Sequence, residues 1–149
     1  MAHKLETLRC DPRLVLRERT NLRHLLAADL YGPADPWPDL AVADVSFISL
    51  ALVLPALLGL LRPEAAWDLL LLVKPQFEVG KARVGKGGVV RDPAAHCDAI
   101  AGVVGAAAAL GLEAWGLVAS PLTGPAGNHE YLLWLRPTGL GPQGAPADR

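Results

Sequence analysis

The most continuous apolar run of the chain lies in residues 67–75, which read Trp67-Asp68-Leu69-Leu70-Leu71-Leu72-Val73-Lys74-Pro75. Apolar side chains without alternation are typical of a strand that is covered on both faces, as in a parallel α/β sheet. The run ends on a lysine, so a polar group follows the strand directly. We therefore predict an α/β fold whose sheet contains residues 67–73 as a buried strand.

Strands and helices alternate on both sides of this run. Before it, residues 39–43 predict a buried strand, and a helical run follows and ends at Leu61. After it, Asp92 supplies an N-cap and Pro93 a first helical position, which predicts a helix over residues 93–110. The order closes with two strands that have no helix between them and should pair antiparallel: residues 113–119 and 130–135.

The remaining segments predict shorter elements and connections. We interpret residues 14–16 as a further strand and residues 22–29 as a short helix. Three prolines in residues 32–38, and the glycines of residues 76–91, indicate loops. The last residues, 137–149, are rich in Pro, Gly and Ala, which predicts a flexible tail behind one domain formed by residues 1–136.

Length and composition indicate a single globular domain. The 149 residues suffice for one ordinary core, and 52% hydrophobic against 19% charged residues argues against a disordered chain. A net charge of −1 gives no general attraction to nucleic acid, so RNA binding would need a local basic patch. The two cysteines lie far apart and no ligand pair has metal spacing, so we expect neither a disulfide nor a metal site.

One apolar stretch, residues 45–61, carries no charge and is close to the shortest membrane span, about 17 residues. Pro55 and Gly59 interrupt it, and a helix buried against a sheet would have the same composition. We therefore expect a buried helix and no membrane insertion. The first residues contain no apolar signal segment, so we also expect a cytoplasmic protein.

Three polar residues adjoin the predicted strands: Asp44 and Lys74 each follow a strand, and Glu130 opens the last one. Because the last strand should run against the others, all three side chains should meet at one edge of the sheet. A lysine held by carboxylates can orient a weakly acidic hydroxyl or stabilise the oxyanion formed from it. Each residue alone is more typical of an ordinary surface charge, so the prediction of a catalytic site depends on the three occurring together.

Several strings of this sequence, in this order, resemble the TlyA family. Its members are described as hemolysins or ribosomal RNA 2′-O-methyltransferases, and they have an FtsJ-like catalytic domain. The resemblance extends from Leu8 to Leu135 and is carried by these segments: residues 11–13, 18–21, 43–50, 72–78, 85–93 and 120–128.

This resemblance implies an incomplete Rossmann-like sheet of the S-adenosylmethionine-dependent methyltransferase class, mostly parallel with an antiparallel last strand. It implies methyl transfer from S-adenosylmethionine to a ribose 2′-hydroxyl of ribosomal RNA in a ribosomal subunit. Asp44, Lys74 and Glu130 match the last three members of the family's Lys-Asp-Lys-Glu tetrad. Thr20 and Asn21 match a loop near the cofactor adenine, which implies that they bind the cofactor.

The sequence also departs from the family pattern. The S4-like domain, the first catalytic lysine and the first two strands with their glycine-rich loop have no counterpart here. We therefore interpret the chain as the C-terminal part of a methyltransferase domain, and expect the fragment to be inactive by itself. His129 stands where the family more often has an aliphatic residue.

The predicted loop after Pro75 is basic, and we interpret it as an arm that contacts RNA phosphates. The alternative is a solvated loop with no ligand. Residues 80–86 also fit the G-x-x-x-x-G-K pattern of nucleotide hydrolases, but Gly87 stands where a hydroxyl is required and no helix follows at once. The candidate RNA-binding residues are as follows: Lys81, Arg83, Lys86 and Arg91.

Two other functions stay open at this point. The chain could be a catalytically inactive binding module, an alternative that the missing glycine-rich loop favours. It could also be a membrane-active haemolysin, for which residues 45–61 are the only support. The sequence leaves the oligomeric state unknown.

Overall fold

A four-stranded sheet organises the computed structural model, which describes residue 11, residues 14–62 and residues 65–139. The order across the sheet is β1-β2-β4-β3. The first two strands pair in parallel, whereas β4 pairs antiparallel with both of its neighbours. Three strands thus run one way and the last runs against them. The strands are: β1 Leu40–Ala43, β2 Asp68–Val73, β3 Leu112–Ala119 and β4 Tyr131–Pro137.

Three helices connect the strands: α1 Leu50–Leu58, α2 Pro75–Glu78 and α3 Pro93–Ala109. The side chain of Ser49 caps α1 by accepting a hydrogen bond from the Ala51 N–H. Asp92 caps α3 in the same way, accepting from the Ala94 N–H. Both α1 and α3 therefore begin where a short polar side chain satisfies a backbone donor that the helix itself cannot.

The core lies on one face of the sheet. Side chains of β2 alternate between half-buried and buried, and Leu69, Leu71 and Val73 point into the core. Leu54 of α1 and Val103 of α3 pack into the same cluster. The helices thus cover this face and exclude water from it.

The opposite face of the sheet stays open to solvent. Leu40 and Val42 of β1 are 57% and 66% exposed, and Trp134 of β4 is 38% exposed. Leu70 and Leu72 of β2 are half-buried beside them. The continuous apolar run predicted cover on both faces, but the described residues bury only one.

The predicted α/β class, the antiparallel last pair and the helix that Asp92 caps are confirmed. β1 has a strand on one side only among the described residues, as expected of an incomplete sheet. The long apolar stretch forms only the nine-residue α1. No helix in the described part of the chain is long and apolar enough to cross a bilayer.

Other sequence predictions were wrong in detail. Residues 14–16 form no strand and are exposed, because no described strand pairs with their backbone groups. Residues 22–29 form two 3-10 turns rather than a helix. The predicted loop after Pro75 contains α2 and two further 3-10 turns. Of the predicted tail, residues 140–149 lie outside the described residues, and β4 extends to Pro137.

We predict that the two faces of the sheet respond differently to charge. Val42→Lys should change the free energy of unfolding by no more than about 1 kcal/mol, because that side chain already meets water. Val53→Lys, at a position in α1 that is 1% exposed, should cost more than about 3 kcal/mol. Urea unfolding followed by circular dichroism would measure both. A large loss for Val42→Lys would mean that the folded chain covers this face.

Candidate active site

The amine of Lys74 is fixed at the end of β2 by two oxygen atoms. Its Nζ lies 2.5 Å from Oδ1 of Asp44, the residue that follows β1. It also donates a hydrogen bond to Oγ of Ser46, at 3.1 Å. Because β1 and β2 are parallel, their carboxyl ends lie at the same edge of the sheet. The lysine side chain is 12% exposed, so most of it is withdrawn from water.

Glu130 reaches the same edge from the opposite direction. Tyr131, the first residue of β4, pairs with Val73, the last of β2, so Glu130 lies beside Lys74 at the sheet edge. Glu130 is only 7% exposed. A cavity of about 410 Å³ has both Lys74 and Glu130 in its lining. Within the described ranges no direct ion pair joins the two, which leaves the cavity between them for a ligand.

Gly124 leaves the space that the Glu130 carboxylate occupies. A Cβ at position 124 would lie 2.6 Å from Oε1 of Glu130, far closer than such atoms approach. The loop is held in this position because the Gly124 N–H donates to the Asn128 carbonyl, at 2.9 Å. The Glu130 carbonyl in turn accepts from the Ser120 N–H, at 2.8 Å. Glycine at position 124 therefore leaves the room in which the Glu130 carboxylate faces the cavity.

Two buried polar side chains clamp the neighbouring loop. Asn128 accepts from the Val90 N–H and donates its Nδ2 to the Gly88 carbonyl, each at 2.9 Å. Nε2 of His96 donates to the Val90 carbonyl, and its Nδ1 bonds the Tyr131 hydroxyl, each at 3.0 Å. The backbone around Val90 is thus fixed against the start of β4, next to Glu130.

Sequence reasoning missed three residues that line the Lys74 cavity. Phe47 is 91% exposed and packs against Phe77 with ring centroids 5.0 Å apart. Its φ of +65° is a strained value for a residue with a Cβ. The Oε1 of Gln76 is buried without a hydrogen-bond partner among the described residues. These residues belong to the segments 43–50 and 72–78, whose sequence does not reveal side-chain exposure or a missing hydrogen-bond partner.

The four basic candidates of the loop differ in what surrounds them. Arg83 contacts Asp98 at 2.5 Å and Asp92 at 3.1 Å, so its charge is offset by α3 and its cap. Lys81, Lys86 and Arg91 are exposed and form no ion pair in the part of the chain that the structure describes. Arg83 therefore attaches the loop to α3, while the other three side chains can meet a ligand.

Thr20 and Asn21 lie in a different cavity, of about 510 Å³. The Thr20 hydroxyl donates to the Glu18 carbonyl, and Oδ1 of Asn21 accepts from the Arg23 N–H. The lining of this cavity and that of the Lys74 cavity have no residue in common. The fold brings Asp44, Lys74 and Glu130 to one edge but does not bring Thr20 and Asn21 into the same site.

Comparison with known proteins identifies related chains. The family model described as "FtsJ-like methyltransferase" matches residues 1–137. The chain is 53% identical over 130 residues to the 16S/23S rRNA (cytidine-2′-O)-methyltransferase TlyA of Mycobacterium tuberculosis, covering 87% of this chain and 46% of that protein. Hemolysin A of Brachyspira hyodysenteriae is 32% identical over 125 residues, covering 84% and 50%.

A solved structure from Streptococcus thermophilus, described as a candidate hemolysin, has a TM-score of 0.82 and 37% identity. The superposition covers 90% of this chain and 46% of the chain in that structure. The chain thus spans about half the length of the curated relatives it matches.

We expect Gly124→Ala to displace the Glu130 carboxylate, because the added Cβ would occupy its place. The carboxyl-carbon NMR shift of Glu130 should therefore change. Gly105→Ala is the matched control, since its Cβ would meet nothing within 4 Å on α3. That control should leave the Glu130 shift unchanged and add up to about 1 kcal/mol of stability. An unchanged Glu130 signal in Gly124→Ala would contradict the packing described.

The hydrogen bond from Arg83 lowers the pKa of the Asp92 carboxyl below its usual value, with a further contribution from the Ala94 N–H. Since the folded pKa is depressed, the contribution of this carboxylate to stability is present at neutral pH. It is lost as the pH falls below the usual aspartate range. Arg83→Gln should raise the pKa of Asp92, as measured by an NMR titration. Arg62→Gln, which removes a distant charge, should not.

Proposed function

Because the chain belongs to the FtsJ-like methyltransferase family, we propose that the Lys74 cavity is the acceptor site of an RNA ribose 2′-O-methyltransferase. One observation carries the proposal: a lysine ion-paired with Asp44 lines the same cavity as the buried acid Glu130. The names of the relatives support ribosomal RNA as the substrate. The partner is then a ribosomal subunit and the location the cytoplasm.

The chemical task at the acceptor is to activate a hydroxyl that hardly ionises in water. The Lys74 ammonium has three hydrogens, and Asp44 and Ser46 engage two of them. The third is left for the 2′-oxygen, where it stabilises the negative charge that develops as the oxygen attacks. Fixing the amine in advance avoids reorganisation during the reaction.

Glu130 complements the lysine as a hydrogen-bond acceptor. Its carboxylate is nearly free of water and faces the cavity. It can accept a hydrogen bond from the 2′-hydroxyl, and it can take the proton that this oxygen loses when it is methylated. Lys74 and Glu130 then hold the hydroxyl from two sides, and Asp44 keeps the lysine in place.

Phe47 provides a surface for the nucleobase. Its ring is almost wholly exposed, yet it is supported by Phe77 at the mouth of the cavity. Nucleobases removed from a helix stack on such rings, which contributes about 1–3 kcal/mol for each base. Lys81, Lys86 and Arg91 lie in the adjoining loop and supply positive charge for the RNA backbone.

The methyl donor implied by the family is S-adenosylmethionine, which supplies an electrophilic methyl group. The described residues do not fit a complete site for it. Thr20 and Asn21 bind the chain's own backbone through their side chains and line a separate cavity. We therefore assign only the acceptor side of the reaction to this chain. The same observation favours the second candidate function, an inactive RNA-binding module.

We predict that the 149-residue chain alone transfers no detectable methyl group to ribosomal RNA. A fusion of this chain with the unmatched half of the Mycobacterium tuberculosis relative should transfer the tritiated methyl group of labelled S-adenosylmethionine to ribosomal RNA. In that fusion Lys74→Ala should lower the rate at least about 100-fold, because the oxyanion loses its donor. Arg62→Ala, at the opposite edge of the sheet, serves as the control.

Three outcomes would count against this assignment. Full transfer by the Lys74→Ala fusion would remove the lysine from the mechanism. Tight binding of S-adenosylmethionine to the chain alone, measured by calorimetry, would show that the donor site had been overlooked. An inactive fusion that still binds RNA would favour the binding module.

A further inference from the structure

Two further cavities adjoin the loop that carries Glu130. Their volumes are about 380 and 350 Å³, and Arg91, His96 and His129 line both. Ala126 lines both the larger of them and the Lys74 cavity, so the larger cavity adjoins the Lys74 cavity. No aspartate or glutamate lines either of the two further cavities. The side chains that line these cavities are therefore neutral or positively charged.

Arg91 and His129 are the side chains that can bind a ligand here. Both are exposed, and within the described residues neither has a hydrogen bond or an ion pair. Arg83, eight residues before Arg91 in the same loop, is instead ion-paired with two aspartates. A guanidinium and an imidazole that line the same cavities, with no carboxylate in the lining, fit an oxyanion such as phosphate.

The remaining histidine shapes the wall of the site. Both ring nitrogens of His96 are engaged, one by the Val90 carbonyl and one by the Tyr131 hydroxyl. Asn128 holds the Val90 N–H from the other side. Both polar backbone groups of Val90 are bound to buried side chains. The backbone at the next residue, Arg91, is therefore held in place. Such preorganisation lowers the entropy lost on binding.

We infer that Arg91 and His129 form a phosphate subsite that holds the backbone of an RNA strand beside the ribose at Lys74. The inference rests on the proposed function. His129 lines the two further cavities, whereas the next residue, Glu130, lines the Lys74 cavity. Ribose and phosphate alternate along RNA, so a strand bound across this junction presents each group to the matching cavity.

Fluorescence anisotropy of the 149-residue chain with labelled single-stranded RNA and DNA of the same sequence tests the subsite. Arg91→Ala should weaken both complexes about tenfold at low salt and reduce the salt slope by about one phosphate. His129→Leu should weaken both by a smaller factor. Arg62→Ala removes the same charge at the amino edge of the sheet, where Arg62 bonds the Pro38 carbonyl, and should bind as the unmodified chain does.

RNA and DNA together separate this inference from the proposed function. Phosphate is common to both, whereas only RNA carries the 2′-hydroxyl, so Lys74→Ala should weaken RNA binding alone. If Arg91→Ala weakens both strands while Lys74→Ala leaves the RNA preference intact, the subsite stands and the proposed acceptor site fails. If Arg91→Ala binds like Arg62→Ala, or the unmodified chain binds neither strand, the subsite is overturned.

Discussion

The antiparallel pairing of β4 with β2 is the constraint on which the rest of the molecule depends. It places Tyr131 opposite Val73 and so brings the start of one strand to the end of another. Had β4 run parallel to β2, Glu130 would lie at the far edge of the sheet, away from Lys74. The helices, the clamped loop and the acceptor cavity are all arranged around this one register.

Strand order and capping residues made much of this predictable from sequence. Asp44, Lys74 and Glu130 could be assigned to one edge because each adjoins a strand whose direction follows from its connections. The family resemblance, carried by short strings, is confirmed by the match over residues 1–137. Whether these residues act in catalysis stays a prediction.

Other features depend on contacts between distant segments and could not be predicted. The partners of Arg83 are Asp98 on α3 and the capping residue Asp92, and nothing in the loop sequence indicates these contacts. Phe47 combines high exposure with a positive φ, and its residue type indicates neither. The apolar run at residues 14–16 predicted a strand that does not form. A strand needs a neighbouring strand to pair with its backbone groups, and residues 14–16 have none among the described residues.

The sheet with one solvent-facing side has a calorimetric consequence. The heat capacity change of unfolding is set mainly by apolar surface that meets water only when the chain unfolds. Leu40 and Val42 already meet water in the folded chain and add little to it. The change should therefore fall below the usual value of about 12–15 cal/mol/K per residue. The stability of this chain would then vary with temperature along a flatter curve than its length suggests.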